Sequence, residues 1–241
     1  MPDKIFANPR LVAVYDFFDG QRRDLEHYLA LVRELGAKSV LDVGCGTGSF
    51  ACQLSELGYD VTGVDPAEAS LNLARTKAHA NSVRWISGDA TSLPDMKVDV
   101  AVMTGNVAQV FLTDDEWETS LTAIRRALRP GGHIVFEVRD PARKAWLAWT
   151  RAKTFKRIDV PGIGEVEGWC DVINNTDELV SFRWTYVFHS DGETITSDST
   201  LRFQSRDAIE QSLRRCGFKV RDMRDAPDRP GKEFVFIASR P

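Results

Sequence analysis

The sequence predicts an α/β protein: a mostly parallel, doubly wound sheet carrying an inserted antiparallel β meander. Three observations predict it. Val40, Leu41 and Val43 around Asp42 form a short apolar run, Gly44, Gly46 and Gly48 a tight turn, and Ser49 to Leu57 a helix, which together read strand, turn, helix. The unit then repeats, because Tyr59 to Val64 is a second apolar strand closed by Asp65 and followed by a helix that Pro66 opens. Residues 141–203 abandon this alternation: Val180, Phe182, Trp184, Tyr186 and Phe188 alternate with Ser181, Arg183, Thr185, Val187 and His189, the period of a sheet with one buried face.

Length and composition bound the class. The 241 residues suffice for one large core, or for a core domain with an insertion, and the 43% hydrophobic and 27% charged content is that of a globular protein. Residues 1–10 lack the apolar run of a signal peptide, and nowhere do about eighteen apolar residues follow one another, so a cytoplasmic protein without a membrane segment is expected. Cys45, Cys52, Cys170 and Cys216 stand singly, with no spacing that suggests zinc or a disulfide framework, so no metal is expected. The net charge is −4 and basic residues are interleaved with acidic ones, which leaves out the basic stripe of a nucleic-acid binder and favours a small-molecule substrate.

Taken in order, Asn8-Pro9 is an N-cap with a proline fit for the first turn, and Leu11, Val12, Tyr15 and Phe18 share one helical face before Asp19-Gly20 ends the helix. A second helix runs from about Gln21 to Leu35, closed by Gly36. The helix after Asp65 is expected from Pro66 to about His79. Strands follow at Val83 to Ser87, which ends in Gly88-Asp89-Ala90, and at Asp99 to Met103, which runs out at Thr104-Gly105-Asn106-Val107. Thr113-Asp114-Asp115-Glu116 is a capping box for a helix reaching Arg129, stopped by Pro130-Gly131-Gly132 before the strand His133 to Val138. Inside the insertion come a Trp-rich segment with Trp146 and Trp149, a strand Glu165 to Ile173, and the Val180 to Phe188 strand, turned by Asp191-Gly192 into Thr194 to Phe203. A helix Ser205 to Cys216 and two strands, Phe218 to Met223 and Phe234 to Ala238, close the chain.

The glycine turn is the candidate site. Glycine lets a ligand lie against the main chain, and the helix behind it offers free N–H groups, which suits a carboxylate, phosphate or ribose. Asp65, about twenty residues on, is placed either to accept two ribose hydroxyls or to cap the helix at Pro66. Dinucleotide sites want G-x-G-x-x-G, and Ser49 stands where the third glycine is needed, which disfavours an oxidoreductase. Asp89 sits at the carboxyl edge where open α/β folds bind ligands, or simply shapes a turn. His27 and His79 fall on expected helices and His133 opens a buried strand, so His189 is the one histidine expected to overlook the cleft.

Leu41-Asp42-Val43-Gly44-Cys45-Gly46-Thr47-Gly48 resembles the first motif of the class I S-adenosylmethionine-dependent methyltransferases, and the resemblance extends over residues 38–140 and more loosely to the C-terminus. It implies a seven-stranded sheet ending in an antiparallel hairpin, S-adenosyl-L-methionine as cofactor, and in-line methyl transfer to an N or O atom of a small molecule. Leu128-Arg129-Pro130-Gly131-Gly132 is similar to the family's late structural motif, whereas the proline-rich motif of base-amine methylation is missing at 104–107. By this resemblance Tyr15, Arg22, Gly44, Cys45, Gly46, Asp65, Pro66, Asp89, Ala90, Thr104 and Gly105 line the cofactor. Asn106 and Arg183 are candidate acceptor contacts, and His189 a candidate base. Residues 1–36 then cover the cofactor, 37–140 and 204–241 form the core domain, and 141–203 supply a lid, a substrate platform or a homodimer element. A non-catalytic adenosylmethionine-binding module is the alternative, with a nucleotide-cofactor oxidoreductase behind it.

Overall fold

All five residues of the first strand, β1 (Ser39–Val43), are buried, as a strand covered by helices on both faces must be. The computed structural model, which describes residues 1–176 and 178–241, places it near the middle of the main sheet. Parallel strands β2 (Asp60–Asp65), β3 (Val83–Ser87), β4 (Val98–Met103) and β5 (Leu128–Arg139) join it. The chain then leaves for four antiparallel strands, β6 (Lys156–Val160), β7 (Gly164–Thr176), β8 (Leu179–Phe188) and β9 (Thr194–Arg202), and returns to β10 (Lys219–Asp225) and β11 (Glu233–Ser239). The seven strands run in the order β10-β11-β5-β4-β1-β2-β3, with β11 antiparallel to both neighbours. A doubly wound sheet with a terminal antiparallel hairpin and an inserted meander is therefore what the chain forms.

Among the described residues, eight α-helices dress the sheets: α1 (Lys4–Ala7), α2 (Pro9–Asp19), α3 (Asp24–Glu34), α4 (Ser49–Glu56), α5 (Glu68–Ala74), α6 (Asp114–Ala127), α7 (Arg151–Thr154) and α8 (Arg206–Arg215). Because side chains alternate along a strand, Leu41, Met103, Ile134 and Phe136 meet Trp117, Leu121, Ile209 and Leu213 on one face. Val40, Val100, Val102 and Val135 meet Leu25, Leu29, Val32, Phe50 and Leu54 on the other. Among the described residues, no helix is long and apolar enough to cross a membrane.

A third core joins the N-terminal helices to the meander. Ile5, Leu11, Val14 and Phe18 pack with Val160, Val166, Tyr186 and Phe188, and Phe18 meets Tyr186 edge-on at 5.0 Å between ring centres. A methyl group at Gly168 would lie 2.5 Å from the Phe18 ring, so a bare backbone in β7 lets α2 press onto the sheet. The Tyr186 and Phe188 end of the aromatic face of β8 is thus covered within one chain by α1 and α2, while Phe182 packs on Trp149.

Several boundaries differ from expectation. Helix α5 stops at Ala74, not near His79: the Thr76 hydroxyl donates to the Leu73 carbonyl at 2.7 Å and competes with continuation, and His79 sits in the left-handed region at φ 64°. Helix α3 starts at Asp24, not Gln21. Helix α6 does end before Pro130, at Ala127, but Pro130-Gly131-Gly132 lie within β5, where Gly131 N–H donates to the Arg240 carbonyl at 2.8 Å. Strand β6 was not anticipated; its charged, alternating Lys156-Arg157-Ile158-Asp159-Val160 is the pattern of an edge.

Candidate active site

The glycine turn occupies the carboxyl end of β1, with left-handed backbone angles at Gly44, Gly46 and Gly48 of φ 71°, 53° and 76°. The three glycines do different work. A methyl group at Gly44 would lie 2.7 Å from Val107, and one at Gly48 2.6 Å from Trp85, so both are fixed by packing. At Gly46 nothing lies within 4 Å, which leaves this stretch of main chain open to a ligand. Asp65, buried at the end of β2, accepts from Gly46 N–H and Ala67 N–H at 2.8 Å each, so it ties the turn to the start of the next segment. Burial pushes its pKa up while those two bonds hold it down. Pro66 beside it is exposed.

Helix α2 is latched to this turn. The Thr47 hydroxyl donates to Asp16 Oδ1 at 2.6 Å, and Lys77 Nζ bridges Asp16 Oδ2 at 2.6 Å and Ser49 Oγ at 2.9 Å. Tyr15, the next residue back, packs its ring on Phe6 at 5.4 Å, and burial raises its pKa. Arg22 holds Asp24 through two nitrogens, at 2.9 and 2.7 Å, and its Nη2 lies 3.7 Å from where a side chain on Gly105 would begin.

Beneath the turn, Asp42 is a carboxyl group in a fully buried strand, and neither oxygen has a hydrogen-bond partner. Burial raises its pKa to about 7, opposed by the charge of Arg22 and reinforced by that of Asp65. An orphaned acid beside an open glycine backbone suits a ligand that brings both a cationic group and a flat polar body.

At the carboxyl edge of β4, Asn106 adopts a left-handed conformation at φ 61°. Its backbone N–H donates to Glu137 Oε1 at 2.6 Å and its Nδ2 to the same oxygen at 3.3 Å, while the Tyr28 hydroxyl meets Glu137 Oε2. Burial raises the Glu137 pKa to about 8. Thr104 and Gly105 lead into this bend and are partly or fully exposed. One strand over, Arg139 is held by Gln109 Oε1 at 3.2 Å and lies 5.5 Å over the Trp149 ring, which itself packs on Phe182 at 4.7 Å. Asp89 is exposed and accepts from Thr91 N–H at 2.8 Å, shaping its own turn, with Ala90 buried behind it.

Arg183 and His189 are placed differently from expectation. The face of β8 that runs from α2 to Trp149 and Arg139 is the aromatic one, so strand alternation turns Arg183 and His189 to the opposite side. There Arg183 pairs with Asp198 at 2.6 Å in solvent, and His189 Nε2 stands 3.3 Å from Glu167 near the hairpin tip that Arg10 grips through Asp191. Neither touches the glycine turn. Asp42, Asp16, Tyr28 and Glu137, by contrast, are brought to the site although sequence reasoning did not select them. The available signal was a carboxylate inside an apolar strand, at Asp42 and again at Glu137.

Residues 40–132 match the profile of a methyltransferase domain. A putative methyltransferase from Geobacillus sp. (strain WCH70) is 34% identical over 216 residues, which cover 85% of both chains. The chain belongs to the class I S-adenosylmethionine-dependent methyltransferases. A cypemycin N-terminal methyltransferase from Streptomyces sp is 35% identical over 111 residues, but these span only 45% of that protein. Among solved structures, an amino pentose methyltransferase of calicheamicin biosynthesis from Micromonospora echinaspora, with S-adenosylmethionine bound, superposes with a TM-score of 0.73 at 20% identity, covering 95% of this chain and 97% of that one. As a methyltransferase, the protein uses S-adenosylmethionine, and the open Gly46 backbone and the orphaned Asp42 fit that cofactor.

Proposed function

We propose that this methyltransferase acts on a nitrogen or oxygen atom of a small polar molecule, held between the carboxyl edge of the main sheet and the aromatic face of the meander. Bound S-adenosylmethionine supplies an electrophilic methyl group for in-line displacement by the acceptor's lone pair. Everything else is positioning, which for such a reaction supplies most of the rate. Asp42 takes the ammonium of the amino-acid end and Arg22 its carboxylate. Asp65 keeps spare lone pairs beyond its two backbone bonds, and these accept the ribose hydroxyls. The exposed Asp89 and the buried Ala90 face the base, with Gly44, Cys45, Gly46, Pro66, Thr104 and Gly105 completing the lining and Tyr15 covering it. Asn106 contacts the acceptor.

The observation that carries this reading is the aromatic face that Trp184 and Phe182 share on β8, with Trp184 against the α2 cluster and Phe182 packed on Trp149 beneath Arg139 at the sheet edge. Such walls suit an ammonium or a flat polar ring rather than a phosphate backbone. The acceptors in the names of the cypemycin and amino pentose enzymes, a peptide N-terminus and an amino sugar, support an amine as the first class to try. The test is label transfer from methyl-labelled S-adenosylmethionine across a panel of amino sugars, short peptides and phenols, with tRNA and duplex DNA alongside. Label on a small amine or hydroxyl is expected; label on nucleic acid alone would overturn the reading.

A further inference from the structure

We propose that Glu137 and Tyr28 are positioning residues for methyl transfer: they fix the Asn106 side-chain amide so that its carbonyl oxygen is left without a protein donor and accepts a hydrogen bond from the attacking group of the acceptor. This rests on the small-molecule reading above.

The backbone comes first. Asn106 is one of three non-glycine residues with a left-handed backbone among the described residues, a conformation asparagine tolerates but does not seek. The short bond from its N–H to Glu137 Oε1, at 2.6 Å, holds the bend. The same oxygen then dictates the side chain. A carboxyl oxygen that already accepts the backbone N–H can only face another donor, so the amide nitrogen turns to Glu137 at 3.3 Å and the amide oxygen turns away. This holds in either protonation state, because a proton on Glu137 goes to Oε2, opposite Tyr28, and leaves Oε1 an acceptor.

The released oxygen has no partner. Asn106 is buried, and its Oδ1 is one of few buried polar atoms left without a hydrogen bond among the described residues. Such an atom normally finds a donor. Its place says which. Val107 presses on Gly44 of the glycine turn, Gly105 lies beside Arg22, and β4 is the neighbour of β1 at the point where the sheet's strand order reverses. That is where a doubly wound sheet gathers its ligands. Glu137 itself is spent on Asn106 and Tyr28, so it acts through Asn106 and not as the base.

The test uses two cofactor analogues on the full chain, so it needs no identified acceptor. Sinefungin carries an amino group on the carbon that replaces the methylated sulfur; S-adenosylhomocysteine carries nothing there. Calorimetry gives the ratio of the two affinities. Asn106→Ala and Glu137→Met are expected to weaken sinefungin about ten-fold while S-adenosylhomocysteine stays within about two-fold, and Glu137→Gln, which retains an acceptor oxygen, is expected to keep the ratio. If Glu137→Met does not fold by circular dichroism, Tyr28→Phe carries the same readout. An unmoved ratio in Asn106→Ala and either second-site variant overturns the proposal, as does equal weakening of both ligands, which would put Asn106 at the amino-acid end. A ratio that collapses as far in Glu137→Gln as in Glu137→Met overturns it too, since charge rather than orientation would then matter. Failure of the unsubstituted protein to bind either analogue would instead sink the cofactor reading beneath it.

Discussion

The glycine-turn region and the meander place their polar groups by opposite rules. Around the turn, the Asp42 carboxyl and the Asn106 amide oxygen are buried without partners, and Glu137 is buried with a pKa raised to about 8. In the meander, Arg157 pairs with Glu165, Arg183 with Asp198, Arg202 with Asp114 and Glu178, and Ser181 with Thr200, and no residue from 141–203 is among the orphaned polar groups of the described residues. Buried polar groups without partners are destabilising and are retained where a ligand completes them. The turn side therefore holds polar groups of the kind a ligand completes. The meander is complete in itself, a packed support for α1 and α2.

The largest expected effect tests that division from the meander side. Phe188 is fully buried in the third core, with Arg10 stacked 3.9 Å above its ring. Phe188→Ala should cost about 3 to 5 kcal/mol of stability by urea unfolding, with the slope against urea unchanged. S-adenosylhomocysteine affinity, measured well below the unfolding midpoint, should hold. If affinity collapses with stability, the two regions are one cooperative unit and the contrast fails, because α2 would then transmit the loss through Asp16 and Thr47.

How much of this was legible in the sequence follows the same line. Apolar period and turn chemistry made β1, the glycine turn, the α6 capping box and the alternating face of β8 readable, since each is a local property of consecutive residues. What covers that face was not, because Phe18 and Tyr186 meet only in the folded chain; Gly168, a bare position in a long strand, was the one local hint. The left-handed bend at Asn106 had no marker either, as asparagine merely permits it. Nor did alternation alone say which face of β8 looks at the sheet, and that is why Arg183 and His189 were expected in the cleft.

A smaller effect tests the turn side through pH. The folded protein raises the Asp42 pKa from 3.8 to about 7, so it binds that proton more tightly than the unfolded chain does. The sign follows: without ligand, this group's contribution makes stability greatest at low pH and erodes it as pH climbs from about 4 to about 7. An ammonium placed against Asp42 favours the carboxylate, so binding expels the proton. S-adenosylhomocysteine affinity should therefore rise about ten-fold between pH 6 and pH 8, with proton release visible as a dependence of the calorimetric heat on buffer ionisation enthalpy. Asp42→Asn should flatten the rise. A flat profile in the unsubstituted protein would mean that the ligand's charge lies elsewhere and that Asp42 is orphaned for another reason.

The smallest expected effect is the sharpest test of which face of the meander matters. Arg183 and its partner Asp198 are both about half exposed, a setting in which ion pairs add little because solvent screens them and ordering two long side chains costs entropy. His189 is likewise exposed, beside Glu165 and Glu167 and away from the aromatic wall. Arg183→Ala and His189→Ala should each leave the melting temperature, S-adenosylhomocysteine affinity and turnover on the first acceptor found at their unsubstituted values. Trp149→Ala, on the opposite face and 5.5 Å from Arg139, should raise the acceptor KM and leave cofactor affinity alone. Should His189→Ala abolish turnover while the cofactor still binds, the acceptor approaches from the polar face, and the aromatic wall of the opposite face is packing alone.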